Sequence, residues 1–397
     1  MDAANWGSGI PSGAVIGVVS YYNGYDPMVV VNSTTTACDN VRISDNTNGM
    51  ATVNVNSGGT LQVSNSMILG YTAGNIGSRI NLSGGTIRMS GLAAQLYVGQ
   101  KSSSVLSQFE MSAGNLTLNM ASGSTSKITI GDGYGGGATP GSGLFNLSGG
   151  TVKASTISVG RLGAGTLNVS NSGFINTKDI LIGEGSSHPV CILNMTGGQI
   201  DASSTISIGY GGESSNDSIL NISAGELDAK NIIVARNGKG KMIIDGSAAT
   251  IAAENLWIGG YNGAVAQATV EFKVGANGVS AIEVSDTVNF DLGNAASTAE
   301  LLVALTAAPA FENIVLVDNQ STNDVIGVFD LVNGGSAIEG ASLVLSFGGI
   351  DYNYTLTYQG IAGTDGIAND IMLVIPEPAT ISILALGSMF FALRRRQ

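Results

Sequence analysis

The 397 residues hold one histidine, two cysteines, two tryptophans and seven prolines. Each scarcity removes a class of function. Zinc sites draw three or four ligands mainly from His and Cys, so they are nearly excluded. Seven prolines without a strict Gly-x-y period exclude collagen. Charged residues make up 11% of the chain, against about 25% in ordinary domains. That is too few for a coiled coil, and 44% apolar content is too much for a disordered chain. Positive charge is the scarcest: 16 Lys+Arg face 29 Asp+Glu, a net charge of −13. Three of the arginines, Arg394, Arg395 and Arg396, sit together at the C-terminus. Residues 1–375 keep 13 basic against 28 acidic residues, a net of −15. Such a body repels phosphate backbones, so no nucleic-acid partner is expected. The glycine-rich stretch Asp132–Gly143 lacks the Gly-Lys-Ser/Thr ending of a phosphate-binding loop, and no serine sits in a nucleophile elbow. No cofactor is expected.

Glycine is abundant instead, with 57 residues, about twice the usual share of roughly 7%. Together with Ser, Thr, Asn, Val and Ile it points to many short strands and tight turns. A phrase recurs: INLSGGTI at Ile80–Ile87, FNLSGGTV at Phe145–Val152, LNMTGGQI at Leu193–Ile200 and LNISAGELD at Leu220–Asp228. Looser copies begin at Val53, Phe109 and Leu167. A second phrase, apolar-x-apolar-Gly, follows and ends at Gly70, Gly99, Gly131, Gly160, Gly183, Gly209 and Gly259. Val41–Ser44 and Ile232–Ala235 are degenerate members. Successive copies lie 23 to 32 residues apart, and nine span Val41 to Gly259.

Within each copy apolar and polar residues alternate, the spacing of strands rather than helices. Strands of successive copies run the same way, so their pairing is parallel and the rest of each copy is the crossover. The expected fold is all-β, a right-handed parallel β-helix. Nine coils at 4.8 Å would extend about 43 Å. The apolar positions should stack inward. The mid-phrase asparagines (Asn54, Asn81, Asn146, Asn168, Asn194 and Asn221, with Glu110 as the exception) should form an outward amide ladder. The Asn-x-Ser/Thr sequons arise from this repeat and are not read as glycosylation sites. Residues 1–40, with Trp6, Tyr21, Tyr22 and Tyr25, are expected to cap one end, and 41–267 to form the helix repeats. Residues 268–375 should hold atypical final coils and a β-rich cap, with a short helix at Ala299–Ala307.

Candidate chemistry is sparse. β-Helix polysaccharide lyases and hydrolases need carboxylates or calcium, plus a basic residue, on one outer face. The best pair is Asp201 and Asp228, at equivalent outward positions in adjacent coils. The same row reads Gln62, Arg88, Thr117, Lys153 and Asn176 elsewhere, a mixed polar ladder that equally suits a solvated face. Asp132, Asp365 and Asp370 are the calcium candidates. No enzyme activity, catalytic residue or bound metal is expected from this set. His188 precedes Pro189 in an insert and reads as a surface residue. Cys38 and Cys191 lie about five coils apart, roughly 24 Å, beyond the ~7 Å reach of a disulfide. They are expected as free thiols. A second outward row contains Ile68, Tyr97, Leu181, Ile233 and Trp257 among Arg42, Thr129, Ser158 and Ser207. It reads either as a partner or glycan stripe, or as a surface packed under the longer loops.

The C-terminus carries the most specific signal. Ala379–Leu393 is fifteen uncharged residues, preceded by Pro376-Glu377-Pro378 and followed by the three arginines. Such a run reads as a single membrane helix with a cationic stop, which would keep Arg394–Arg396 in the cytoplasm. Pro-Glu-Pro, a short apolar span and an arginine cluster, in that order, resemble the PEP-CTERM sorting signal of Gram-negative bacteria. The resemblance covers about the last 23 residues. It implies that Pro376, Glu377 and Pro378 are read by a membrane-embedded exosortase, and that the tail is removed on the way to the envelope. The family is associated with exopolysaccharide-producing bacteria. The repeats also look like autotransporter-type passenger repeats, and Tyr354–Val374, with LTYQG at Leu356–Gly360 and GIANDIMLV at Gly366–Val374, resemble the closing segment of those proteins.

These resemblances imply an exported envelope protein, structural or adhesin-like at the surface or in the exopolysaccharide matrix. The alternative is a carbohydrate-active enzyme or polysaccharide-binding protein of the envelope. No basic residue precedes Arg42, and the only apolar run near the start is Ala14–Val19. Residues 1–40 therefore lack a secretory signal pattern. The export reading expects the true start upstream of Met1.

Overall fold

The computed structural model describes residues 13–376, apart from 20–27, 36, 44–49, 72–77, 101–105, 134–140, 186–188, 212–217, 261–264, 291–293, 295, 311 and 363–365. Trp6, Tyr21, Tyr22, Tyr25 and His188, and the tail 377–397, lie outside them. The described residues are all-β, a parallel solenoid of about ten turns, with no helix.

The repeat dictates the coil. In Gly143–Val159, Gly165–Ile182, Cys191–Ile208, Ser218–Val234 and Lys239–Ile258, nearly a whole copy is extended and pairs in parallel with the next. Like residues fall in register: Phe109, Phe145, Leu167, Leu193, Leu220 and Met242 form one continuous inward row. All six are at most 1% exposed. Phe109 and Phe145 stack with ring centroids 4.5 Å apart and planes 8° off parallel. A one-residue slip would turn every such row to solvent, so burial fixes the register.

The corner after the second phrase needs a left-handed residue. Gly131 and Gly160 take φ of 74° and 75° there. A Cβ on Gly131 would lie 2.2 Å from the Ala164 carbonyl oxygen, so the corner also requires the missing side chain. The degenerate copy places Ala235 at this corner with φ 61°.

The amide ladder is present. Asn81 Nδ2 donates to Asn54 Oδ1 at 2.7 Å. Asn146 Nδ2 donates to both carboxylate oxygens of Glu110, at 2.9 and 3.0 Å. Asn168, Asn194 and Asn221 each donate to the asparagine before them, at 2.7, 2.8 and 2.7 Å. The ladder stops because Ile243 follows Asn221 in register, leaving the buried Asn221 Oδ1 without a partner.

Parallel pairing reaches upstream of residue 41. Gly13–Val19 pairs with Cys38–Ile43, and Met28–Val31 with Ala51–Asn56. Downstream, Gln267–Val274 and Ile282–Asn289 still stack on the Lys239–Ile258 coil. Ala299–Ala307 is not a helix. Thr298–Leu305 is a strand paired with Gln267–Val274 at all eight positions. Its helix-forming Ala, Glu and Leu yield to the register beneath, which buries Ala299, Leu301 and Val303. Tertiary packing overrides local propensity here.

The sheet then changes direction. Ile314–Asn319 is parallel to Ile282–Asn289 but antiparallel to Asp370–Val374. Asp370–Val374 pairs in turn with Ile350–Gly360, and that strand with Ser342–Phe347. Phe290, Phe329 and Tyr358 fill the junction in edge-to-face contacts, with centroids 4.5 Å (Phe290–Phe329) and 6.4 Å (Phe290–Tyr358) apart. The Tyr358 hydroxyl donates to the Ala337 carbonyl at 2.8 Å and accepts from the Phe329 amide at 3.1 Å. Burial pushes its pKa up to about 12.

Candidate functional site

Two surfaces carry the residues singled out by the sequence: one outer face of the coils, and the point where the chain leaves the body.

On the face, the polar row holds its register from Gln62 through Arg88, Thr117, Lys153, Asn176, Asp201 and Asp228. It continues, unseen in the sequence, through Ala252 to Glu283 and Asp318. The N-terminal half is basic and the C-terminal half acidic. Around Asp201, Asp228 and Glu283 lies a shallow groove of about 400 Å³, flanked by Lys230, Glu254 and Gln320. Asp201 Oδ1 accepts from Gln199 Nε2 at 2.9 Å. Lys230, the cation of the groove, pairs with Glu254 at 3.5 Å, and both side chains are about half exposed. Asp201 and Asp228 are thus neighbours on adjacent coils, about 4.8 Å apart at the backbone. Glu283 and Asp318 were illegible because the second phrase is lost after Gly259. The alternation Ile282-Glu283-Val284 was the available signal.

The second outward row also holds register, from Arg42 to Trp257. It is mostly covered: Ile68, Thr129, Ser158, Ser207 and Ile233 are at most 7% exposed. Of the two readings, packing under neighbouring segments describes these five positions. Ser158 and Ser207 are met by charged groups: Ser158 Oγ donates to Glu184 Oε2 at 2.6 Å, and Arg236 Nη1 donates to Ser207 Oγ at 3.4 Å.

Asp132 begins the glycine-rich insert and is fully buried. Arg161, one coil on, grips it with two bonds: Nε to Oδ1 at 2.8 Å and Nη2 to Oδ2 at 3.1 Å. Burial holds the Asp132 carboxyl above its usual pKa, against the pull of the guanidinium. Lys127 pairs with Glu184 beside it. A carboxylate held by arginine does not suit calcium, so this cluster is a clasp across successive coils. Asp370 is also fully buried, and it accepts from the backbone amides of Asn319 (2.8 Å) and Ala362. That role is structural. Asp365 lies outside the described residues. Among the described residues, no group of three or more His, Cys, Asp or Glu is placed to hold a metal. Cys38 and Cys191 are buried free thiols, each pushed by desolvation to a pKa of about 11.

The exit point is built by the last strand. Asp370–Val374 lies between Ile314–Asn319 and Ile350–Gly360, bonded on both edges. The next amide, that of Ile375, donates to Asn313 Oδ1 at 3.1 Å. Pro376 then has no N–H to offer, is exposed, and ends the ladder. Glu377, Pro378, the apolar run 379–393 and Arg394–Arg396 lie outside the described residues. Among the described residues, no helix is long and apolar enough to cross a membrane.

A family model described as the PEP-CTERM protein-sorting motif matches residues 374–396. No curated protein and no solved structure matches the chain. The match starts at Val374, the final residue of the last described strand, so sorting signal and folded body adjoin without a linker. PEP-CTERM domains are processed by exosortase, a membrane protein, and imply export to the cell envelope. The chain thus carries a PEP-CTERM protein-sorting motif at the end of a parallel β-solenoid, the mark of an exosortase-sorted, exported protein.

Proposed function

We propose that this protein is a non-enzymatic element of the cell surface or exopolysaccharide matrix, structural or adhesin-like in role. The observation that carries the reading is the sorting motif at 374–396, joined directly to the solenoid. In this reading residues 379–393 first span the inner membrane, with Arg394–Arg396 on the cytoplasmic side. The body stands outside the cytoplasm. An exosortase-type protease then reads Pro376–Pro378 and releases the body to the outer surface or matrix. A stack of parallel coils suits such a role, because each coil braces its neighbours and the long sides present side chains at fixed spacing. The test is intact-mass analysis of the protein from envelope fractions of its native host. A mass lacking everything after the Pro376–Pro378 region supports the reading. A full-length product in the cytosol overturns it.

The groove at Asp201 and Asp228 favours a second reading, a carbohydrate-active or polysaccharide-binding protein of the envelope. Asp201→Asn and Asp228→Asn separate the two. Loss of polysaccharide cleavage or binding in both variants, with the fold intact, would support the second reading. Absence of both activities in the unaltered protein would sink it.

A further inference from the structure

Where the tail leaves, the body exposes apolar side chains that its own core does not use. Ser342–Phe347 and Ile350–Gly360 form a hairpin with Phe347 opposite Ile350. The turn passes through Gly348 and Gly349, at φ 60° and 80°. Phe347 is 37% exposed and Ile350 57%, and Ile375, beside the exit, is 37% exposed. Asp370–Val374 runs antiparallel to Ile350–Gly360, with Val374 opposite Thr355. A chain leaving Val374 therefore heads along the hairpin toward its tip. A hollow of about 360 Å³ lies between the two, lined by Tyr352, Tyr354, Ile375 and Pro376 among others.

The distances match. From Thr355 to Ile350 is five residues, about 17 Å of strand. From Val374 to Ala379, the first residue of the uncharged run, is also five residues, which can span at most about 18 Å. The tip projects as far toward the start of that run as the chain itself can reach.

We propose that the hairpin tip, Phe347 and Ile350 together with Ile375, seats in the interfacial zone of the bilayer that receives residues 379–393. This rests on the membrane reading of the tail. Continuity with the tail selects a lipid surface over a second copy of the chain. Residues 342–355 contain no Lys or Arg, so contact is by apolar insertion rather than attraction to anionic lipid. Asp351, near the tip, is occupied by Ser346 Oγ at 2.5 Å.

The test uses the full chain reconstituted into phosphatidylcholine vesicles. Ile350→Cys and, separately, Phe347→Cys carry an environment-sensitive fluorophore. Cys38 and Cys191 are buried and escape labelling of the folded protein. Met28→Cys is the control, 54% exposed in a strand at the opposite end of the solenoid. The expected result is blue-shifted emission at both tip positions, quenched several-fold more by headgroup-spin-labelled lipid than at Met28, and unchanged by salt or added anionic lipid. Three results overturn the proposal while the tail reading stands, provided the protein floats with the vesicles: quenching no greater than at Met28, quenching that requires anionic lipid, or a blue shift without lipid quenching, which would mean a second copy covers the tip. Failure to float overturns the tail reading and the seating together.

Discussion

Breaking the asparagine ladder at one rung should cost more than an ordinary surface substitution, and two adjacent rungs should not add. Asn168 donates to Asn146 Oδ1 at 2.7 Å and accepts from Asn194 Nδ2 at 2.8 Å. Asn168→Ala removes both bonds. At about 1 kcal/mol each, plus a partial penalty for two half-buried groups left unpaired, the expected loss is about 2–3 kcal/mol. Asn194→Ala removes the bond shared with Asn168 and the 2.7 Å bond from Asn221, with a similar cost. The double variant loses three bonds rather than four. It should be more stable than the sum of the single effects predicts by about 1 kcal/mol. Guanidinium unfolding followed by far-UV circular dichroism reads all three variants. Single losses under about 0.5 kcal/mol, the range of unremarkable surface changes, would refute the ladder as a stabilising device. Strict additivity would refute the shared bond. Ile243→Asn is the converse: it sets an amide donor next to the unpaired Asn221 Oδ1 and should offset much of the cost of losing an isoleucine.

Ala235 sits at φ 61° where seven of the repeat copies have glycine, so Ala235→Gly should raise stability by about 0.5–1 kcal/mol in the same assay. Gly131→Ala should do the reverse and cost several-fold more, because its Cβ meets a carbonyl oxygen at 2.2 Å. Arg161→Met should cost about 3–5 kcal/mol by stranding the buried Asp132, and adding Asp132→Leu should recover most of it. The two thiols keep their protons to about pH 11 in the fold, against 9.0 when exposed. Below pH 9 their contribution is whole. As pH rises from 9 to about 11 the unfolded chain ionises first, and up to about 2–3 kcal/mol per thiol is lost. Unfolding midpoints at pH 8 and 10.5 should therefore converge in a Cys38→Ala/Cys191→Ala variant relative to the unaltered protein.

The coil was legible in the sequence because one physical rule repeats in it. Alternation sets which side chains point inward, and the stacking of Phe109 on Phe145 and of Asn168 on Asn146 follows from phrase alignment alone. The row holding Asp201 and Asp228 was readable for the same reason. What failed depends on contacts that no phrase encodes. The Asp132–Arg161 and Lys127–Glu184 pairs join residues 29 and 57 positions apart, across corners where the chain folds back. Ala299–Ala307 was misread because its residues favour helix locally, whereas the partner strand beneath decides the outcome. Glu283 and Asp318 were missed because the row passes into coils whose spacing no longer announces itself.

The position of the tail follows from how the sheet ends. A solenoid exposes an unpaired last coil, and here the sheet reverses direction to cover it. Asp370–Val374, the last strand among the described residues, is interior to that antiparallel layer and bonded on both sides. The cap is therefore incomplete until the residue that opens the sorting motif is in place. Beyond it, the Ile375 amide is spent on Asn313, and Pro376 has none to give. Among the described residues, every strand pairing of the body lies at or before Val374. A cut beyond Pro376 would leave every strand pairing among the described residues in place. Motif and body adjoin without a linker, yet the proline breaks the ladder between them. In the proposed sorting route, that arrangement would let a membrane-held tail deliver a finished solenoid and then be lost without reopening its end.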